Sequence, residues 1–296
     1  MTDDIAFFLV NQLRERALPD GGFSPAPGGR YRTDATCWAI LALSGNHDSR
    51  DLLIRARSRL ATDQLPDGRV CISPDHPEVV WPTSLAILAW RQSQEYQENQ
   101  ARAAYFLITS SGTHSQQTAN SPSTHDTSIR GWPWIADTHS WAEPTALAMM
   151  ALKNAGYSDH ERVKEATHLL LDRQLPQGGW NYGNTTVYGQ ELRPMPLSTG
   201  IVLNALKDQT ESATIQHSLA YLQSRLTSLQ TPLSLGWSLL GLGAWQARLE
   251  LSQPLIDACL KNQARYGGYD TSSLSLLLVA LKSSGGLGEI FMETRK

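Results

Sequence analysis

The chain has 296 residues, with 25 Lys and Arg against 28 Asp and Glu and a net charge of −3. That balance gives no electrostatic case for nucleic acid, whose binding needs a basic face. Three scattered cysteines (Cys37, Cys71 and Cys259) form neither a disulfide framework nor a CxxC zinc pattern, which suits a reducing cytosol. The acidic, amphipathic start MTDDIAFFLVNQLRER does not have the form of a secretory signal. Apolar stretches such as 274–281 are too short to span a bilayer, so no transmembrane segment is expected.

Along the chain, amphipathic stretches alternate with apolar ones. Residues 3–16 place apolar side chains at three- and four-residue spacing and lead through LPDGGF (18–23) into the apolar segment RTDATCWAILALSG (32–45). The same succession follows five more times. Residues 49–64 precede VWPTSLAILAWRQ (80–92), and residues 96–108 precede SWAEPTALAMMALKNAG (140–156). Residues 159–174 precede MPLSTGIVLNALKD (195–208), 211–228 precede PLSLGWSLLGLGAW (232–245), and 248–263 precede YDTSSLSLLLVALKSSG (269–285). A helix that is apolar nearly all round is buried, and one with a single apolar face covers it. Six such hairpins predict an all-α chain: an α/α toroid with an apolar inner ring and an amphipathic outer ring, one domain over 1–296. The count of six and the lack of a polar capping repeat favour closure over an open solenoid.

The joints are glycine turns, as in LPDGR (65–69), RGWPW (130–134), LPQGGW (175–180) and YGGY (266–269). Their aromatic residues read as staples over the turns. Pro82, Pro144, Pro196 and Pro232 stand at helix starts, where proline is tolerated. Thr36, Thr83, Thr145 and Thr199 recur at one phase and are expected to cap the helices. Residues 110–129 (SSGTHSQQTANSPSTHDTSI) break the period with almost nothing to bury, and are expected to be a mobile insertion, a lid or a connection, beside the inner-helix N-terminal face.

The segments EATHLLLDRQLPQGGW (165–180), CLKNQARYGGY (259–269) and FFLVNQLRERALPDGGF (7–23) share a small residue, an aliphatic run, Gln and then Gly with an aromatic. This pattern resembles the QW-type repeat of the terpenoid cyclase and protein prenyltransferase superfamily, which includes the squalene-hopene cyclases. The resemblance implies an α6–α6 barrel that opens at the N-terminal ends of its inner helices and takes an isoprenoid. It implies, in class II cyclases, an Asp-x-Asp-Asp motif whose middle carboxyl protonates an alkene or epoxide. In the prenyltransferase β-type subunits it implies a zinc ion held by an Asp-x-Cys pair and a later His.

Aligning the six apolar segments on their terminal Ala-Leu puts Trp141, Ala142, Glu143 and Pro144 on the four motif positions. The flanking aspartates are absent, but Glu143 occupies the proton-donor position. Asp34 falls on the same phase in the first repeat, and Asp270 on the first-Asp phase of the last. A carboxyl group facing an apolar cavity is raised in pKa and becomes a proton donor near neutral pH. Acidic residues are also favoured at any helix N-terminus, and both readings stand for Glu143, Asp34 and Asp270. His139 precedes Glu143 and could tune or reprotonate it, or be merely solvated. Asp137 shares its loop. Trp38, Trp81, Trp132, Trp134 and Trp141 lie at or near the same rim as candidate aromatic walls for a carbocation. Zinc is not expected. Asp257 and Cys259 have the right spelling in an outer helix, Asp34 and Cys37 have the wrong spacing, and no later His converges. The DDxxD magnesium motif is absent, and no other cofactor is implied.

Three functions fit this sequence. The first is a cyclase-like or prenyltransferase-like enzyme that works on an apolar isoprenoid by carboxylic-acid protonation in a deep aromatic cavity. The second is a non-catalytic barrel with a shallow or filled cavity that binds a lipid, a membrane surface or a partner subunit. The third is a glycan-active barrel with two rim carboxylates in an open groove.

Overall fold

The computed structural model describes residues 2–91, 93–116 and 124–291. Thirteen helices are present among the described residues, and the one sheet is a two-stranded hairpin, β1 (Thr186–Val187) with β2 (Gln190–Glu191). The inner helices are α2 (Thr33–Leu43), α4 (Pro82–Trp90), α6 (Ala142–Asn154), α8 (Pro196–Leu206), α10 (Pro232–Ala244) and α13 (Thr271–Lys282). The outer ones are α1 (Thr2–Arg14), α3 (Arg50–Thr62), α5 (Gln97–Thr109), α7 (Glu161–Asp172), α9 (Gln216–Arg225) and α11 (Ser252–Lys261), the last followed by the single turn α12 (Gln263–Tyr266).

Every residue of α2 and α4 is buried, while α3 and α5 bury only one stripe, as their patterns predict. Each inner helix packs on the next, and α13 packs on α2, so the ring closes. The seam is bonded as well as packed. The Thr271 N–H donates to Pro25 O at 2.9 Å, and the Thr271 hydroxyl to Ser24 O at 2.5 Å. At the other end of the seam Lys282 Nζ donates to Ala42 O at 3.0 Å, where the last carbonyls of α2 lack helical partners. Lys153, at the same phase of α6, does this for α8 by donating to Ala205 O at 2.9 Å.

The threonines do not cap. The residues before α2, α4, α6 and α8 are Arg32, Trp81, Trp141 and Met195, none with a side-chain cap bond. Each threonine lies inside the first turns of its helix and reaches sideways to the preceding glycine turn. The hydroxyls of Thr36, Thr83, Thr145 and Thr199 accept the N–H of Phe23, Val70, Trp132 and Trp180 at 2.9, 2.9, 3.0 and 2.9 Å. A buried N–H needs a partner, and here the threonine supplies it. The glycine turn also docks on the next outer helix. Gly68 has φ +93°, and a Cβ there would lie 2.2 Å from Arg102 O of α5. The glutamine just before these turns completes the clasp: Gln64 Nε2 donates to Asn99 O, and Gln174 Nε2 to the Ser218 hydroxyl, both at 2.9 Å.

The two faces of the ring differ. Inner helices lead to outer ones by short links, such as 44–46 and 91–93. Outer helices lead back by long loops in the first four repeats (15–32, 63–81, 110–141 and 173–195) and by short ones in the last two. The N-terminal face of the inner ring is therefore walled on one side and low on the other.

The stretch expected to be a mobile insertion is tied down at both described ends. Gly112 N–H donates to Gly131 O at 3.0 Å, Thr113 N–H to Thr138 O at 2.8 Å and Ser115 N–H to Thr127 O at 3.1 Å. His125 and Ile129 are buried. The middle of that stretch, 117–123, lies outside the described residues.

Candidate functional site

Two buried carboxyl groups stand at one phase of the inner-helix N-terminal face. Glu143, in the first turn of α6, is 4% exposed and makes no capping bond. Its Oε1 accepts the Ser198 hydroxyl of α8 at 2.6 Å, the one hydrogen bond to this carboxyl group among the described residues. Burial raises its pKa, and the serine offsets part of that rise. No cation is paired with it among the described residues.

Asp34, in the first turn of α2, is equally buried but paired. Arg32 Nε and Nη2 hold its two oxygens at 2.7 and 2.5 Å, the bidentate geometry for which guanidinium is shaped. Asp270 lies across the seam, within electrostatic reach of both Arg32 and Arg16. It is exposed and caps α13, with Oδ1 accepting the Ser273 N–H at 2.8 Å. Of the two readings open for it, helix capping is the one with a bond behind it. The structure thus groups Asp34 with Asp270 at the seam between first and last repeats, and places Glu143 between repeats three and four.

The tryptophans divide by role. Trp81 and Trp134 are half-buried and meet edge to face, with centroids 5.4 Å apart. Trp141 meets exposed His139 in a tilted contact at 4.6 Å and Tyr182 edge to face at 6.5 Å. Trp132 is a structural post. Its Nε1–H goes to Leu107 O at 3.0 Å and its face to the Arg162 guanidinium at 4.1 Å, which fixes the loop against α5 and α7. Asp137 is exposed at φ +62° and lines, with Trp81 and Trp132, a cavity of about 190 Å³ between repeats two and three.

Trp38 belongs to the ring's floor. It meets Trp237 of α10 edge to face at 5.5 Å, and α2 and α10 are not neighbours in the ring. Only α13 separates α2 from α10 in the ring, so the two side chains meet in front of that one helix. In the six-fold alignment they share a phase with Leu85, Leu147, Ile201 and Leu276, all buried. This layer lies one helical turn below Glu143 and Asp34, roughly 6 Å at 1.5 Å per residue. The contact fills part of the ring's interior at this level. A further cavity of about 470 Å³ lies off the axis, between the ends of the insertion, the loop into α6 and the β1–β2 hairpin.

Ser198, Arg32 and Trp237 were not singled out by sequence. Ser198 sits one residue past the Glu143 phase in the next repeat, so it faces back toward α6. Arg32 and Trp237 had signals: an Arg two residues before an Asp, and a tryptophan in register with Trp38. Among the described residues no group of three or more His, Cys, Asp or Glu is placed to hold a metal ion. No described helix is long and apolar enough to cross a membrane.

No family model matches the chain, and no curated protein matches it in sequence. Solved structures do match it in shape. The type II terpene cyclase MstE from Scytonema superposes with a TM-score of 0.63 at 14% identity, over 95% of this chain and 98% of its own. The α-1,6-mannanase GH76A of Salegentibacter sp. HEL1_6 gives 0.64 at 14%, over 95% and 99%. A protein from Actinoplanes gives 0.63 at 13%, over 96% and 99%. Two different chemistries share this shape, so the likeness shows the fold and not the activity: the chain is an all-α toroid of the α/α class.

Proposed function

We propose that this protein is a cyclase-like acid catalyst in which Glu143 donates a proton to an apolar, isoprenoid-type substrate held at the inner-helix N-terminal face. The observation that carries the reading is the isolation of Glu143. A carboxyl group that is almost fully buried, has one hydroxyl partner and has no cation holds its proton at higher pH than a solvated one. Ser198 fixes the rotamer and can stabilise the carboxylate left after transfer. Trp81, Trp134 and Trp141 offer π faces to a developing cation. A terpene cyclase with this fold, MstE, acts on an apolar chain, as its complex with geranylgeranyl dihydroxybenzoate illustrates.

The Trp38–Trp237 contact also favours a second reading, a non-catalytic barrel that holds a lipid or a partner. One experiment separates them. Polyprenyl substrates, with α-1,6-mannooligosaccharides beside them, are offered to the wild type and to Glu143→Gln. The amide keeps the shape and the Ser198 contact but cannot deliver a proton. Polyprenyl turnover should fall by about 10²–10⁴-fold with ligand binding kept. Polyprenyl binding without turnover in the wild type points to the binding barrel, and release of mannose units to a glycan hydrolase. Full activity in Glu143→Gln ends the proposal.

A further inference from the structure

The off-axis cavity of about 470 Å³ plays no part in the reading above, and Glu143 does not line it. Its volume is that of a small-molecule site. Its walls carry Arg173, His114, His125 and His139, and no carboxylate.

Two of these side chains are buried with unmet valence. Arg173 follows the C-terminus of α7, with its side chain 5% exposed. Its Nη2 donates to Asp126 O at 2.8 Å, and its Nη1 has no partner among the described residues. The nearest counter-charge is Asp172, 3.5 Å from Nε, longer than a hydrogen bond and already accepting the Asp126 N–H. His125 is 7% exposed, and its Nδ1 has no partner either among the described residues. Buried polar atoms left unpaired are costly and rare in folded proteins, and a missing ion is one of their ordinary explanations. Two in the wall of one cavity point to a ligand. The rest of the wall is rich in donors: the Ser140 hydroxyl accepts the Gly131 N–H at 3.1 Å and so keeps its own proton to give. Ser115, Thr113 and Asn184 add further polar groups.

We propose that this cavity is a binding site for a phosphorylated small molecule, its oxyanion taken by the Arg173 guanidinium and the His125 ring. A phosphate group offers three acceptor oxygens, where a carboxylate offers two, and it matches a wall of donors with no acid in it. Burial lowers the Arg173 pKa to about 10, which leaves the group cationic at neutral pH. The inference stands apart from the role of Glu143.

The test is calorimetric titration of the whole chain with inorganic phosphate, pyrophosphate and malonate. The wild type should bind phosphate or pyrophosphate with Kd below about 1 mM, and malonate more weakly. Arg173→Met should weaken the phosphate arm by about tenfold or more. Should that variant fail to fold, His114→Ala on the exposed wall and Asn184→Ala carry the test, each with a several-fold loss. Glu143→Gln should bind phosphate as the wild type does, whatever its effect on turnover. Absence of phosphate and pyrophosphate binding overturns the proposal. So does wild-type affinity in the wall variants, a preference for malonate, or loss of phosphate binding in Glu143→Gln.

Discussion

Asp34 and Glu143 occupy one phase of two inner helices, at the same depth and the same burial, and yet they are opposites. Asp34 has a guanidinium locked onto both oxygens, while Glu143 has one serine hydroxyl. The seam between repeats one and six gathers charges, the Arg32–Asp34 pair on one side and Asp270 on the other, beside the Thr271 hydrogen bonds that cross it. The boundary between repeats three and four is a lone acid in apolar packing. The comparison teaches that position at the rim does not make a proton donor. The neighbour does: a cation two residues upstream converts a carboxyl group into a structural ion pair, and its absence leaves an acid.

The largest expected difference is in turnover, the fall of about 10²–10⁴-fold for Glu143→Gln described above. The largest effect on stability should come from the other station. Arg32→Met leaves Asp34 buried without its cation. Breaking a fully buried pair costs about 3–5 kcal/mol, but Arg32 is 44% exposed and water screens part of the interaction. A loss of about 1–2 kcal/mol is therefore expected, read as a lowered urea midpoint at constant slope. Asp34→Asn should make Arg32→Met nearly silent in a double-mutant cycle. If the two losses simply add, the ion pair contributes nothing to stability.

Ser198→Ala is a smaller and more diagnostic change. It removes the hydroxyl that steadies the Glu143 carboxylate, so the pKa of Glu143 should rise further. The cost in stability is expected to be about 1 kcal/mol at neutral pH, because a buried carboxyl oxygen loses its donor. The alkaline limb of the pH–rate profile should move to higher pH. A profile that stays in place would detach Ser198 from the acid.

The architecture was legible in the sequence because each of its elements repeats. Six apolar segments with six amphipathic partners leave little freedom, and the Trp38–Trp237 floor is written in the same alignment as two tryptophans in register. The threonines show where that legibility stops. Their phase was plain, but a hydroxyl at a helix start has two uses, and capping requires it one step before the helix. Thr36, Thr83, Thr145 and Thr199 sit inside it and clamp the turn instead. The site was legible only as positions. That Glu143 is isolated and Asp34 paired depends on Ser198, 55 residues away in the chain, and on which way Arg32 folds. The off-axis cavity left no signal. It is assembled from the insertion, the loop into α6 and a hairpin, which do not repeat, closed by the end of α7, which does.

The smallest effect sharpens the comparison by sign. The Glu143 pKa in the folded chain is raised above the ordinary 4.5. As pH rises past that value, the unfolded chain gives up this proton while the folded chain keeps it, so stability falls with pH. The contribution is fully present below pH 4.5, is lost as pH climbs toward the folded pKa, and is constant beyond it. Glu143→Gln removes the titration. The melting temperature of the variant minus that of the wild type should therefore increase across this window and level off above it, while the other titrating groups cancel in the difference. The total change is worth about 1.4 kcal/mol for each unit by which the folded pKa is raised. A flat difference from pH 4 to pH 8 would show that Glu143 is not a stored acid.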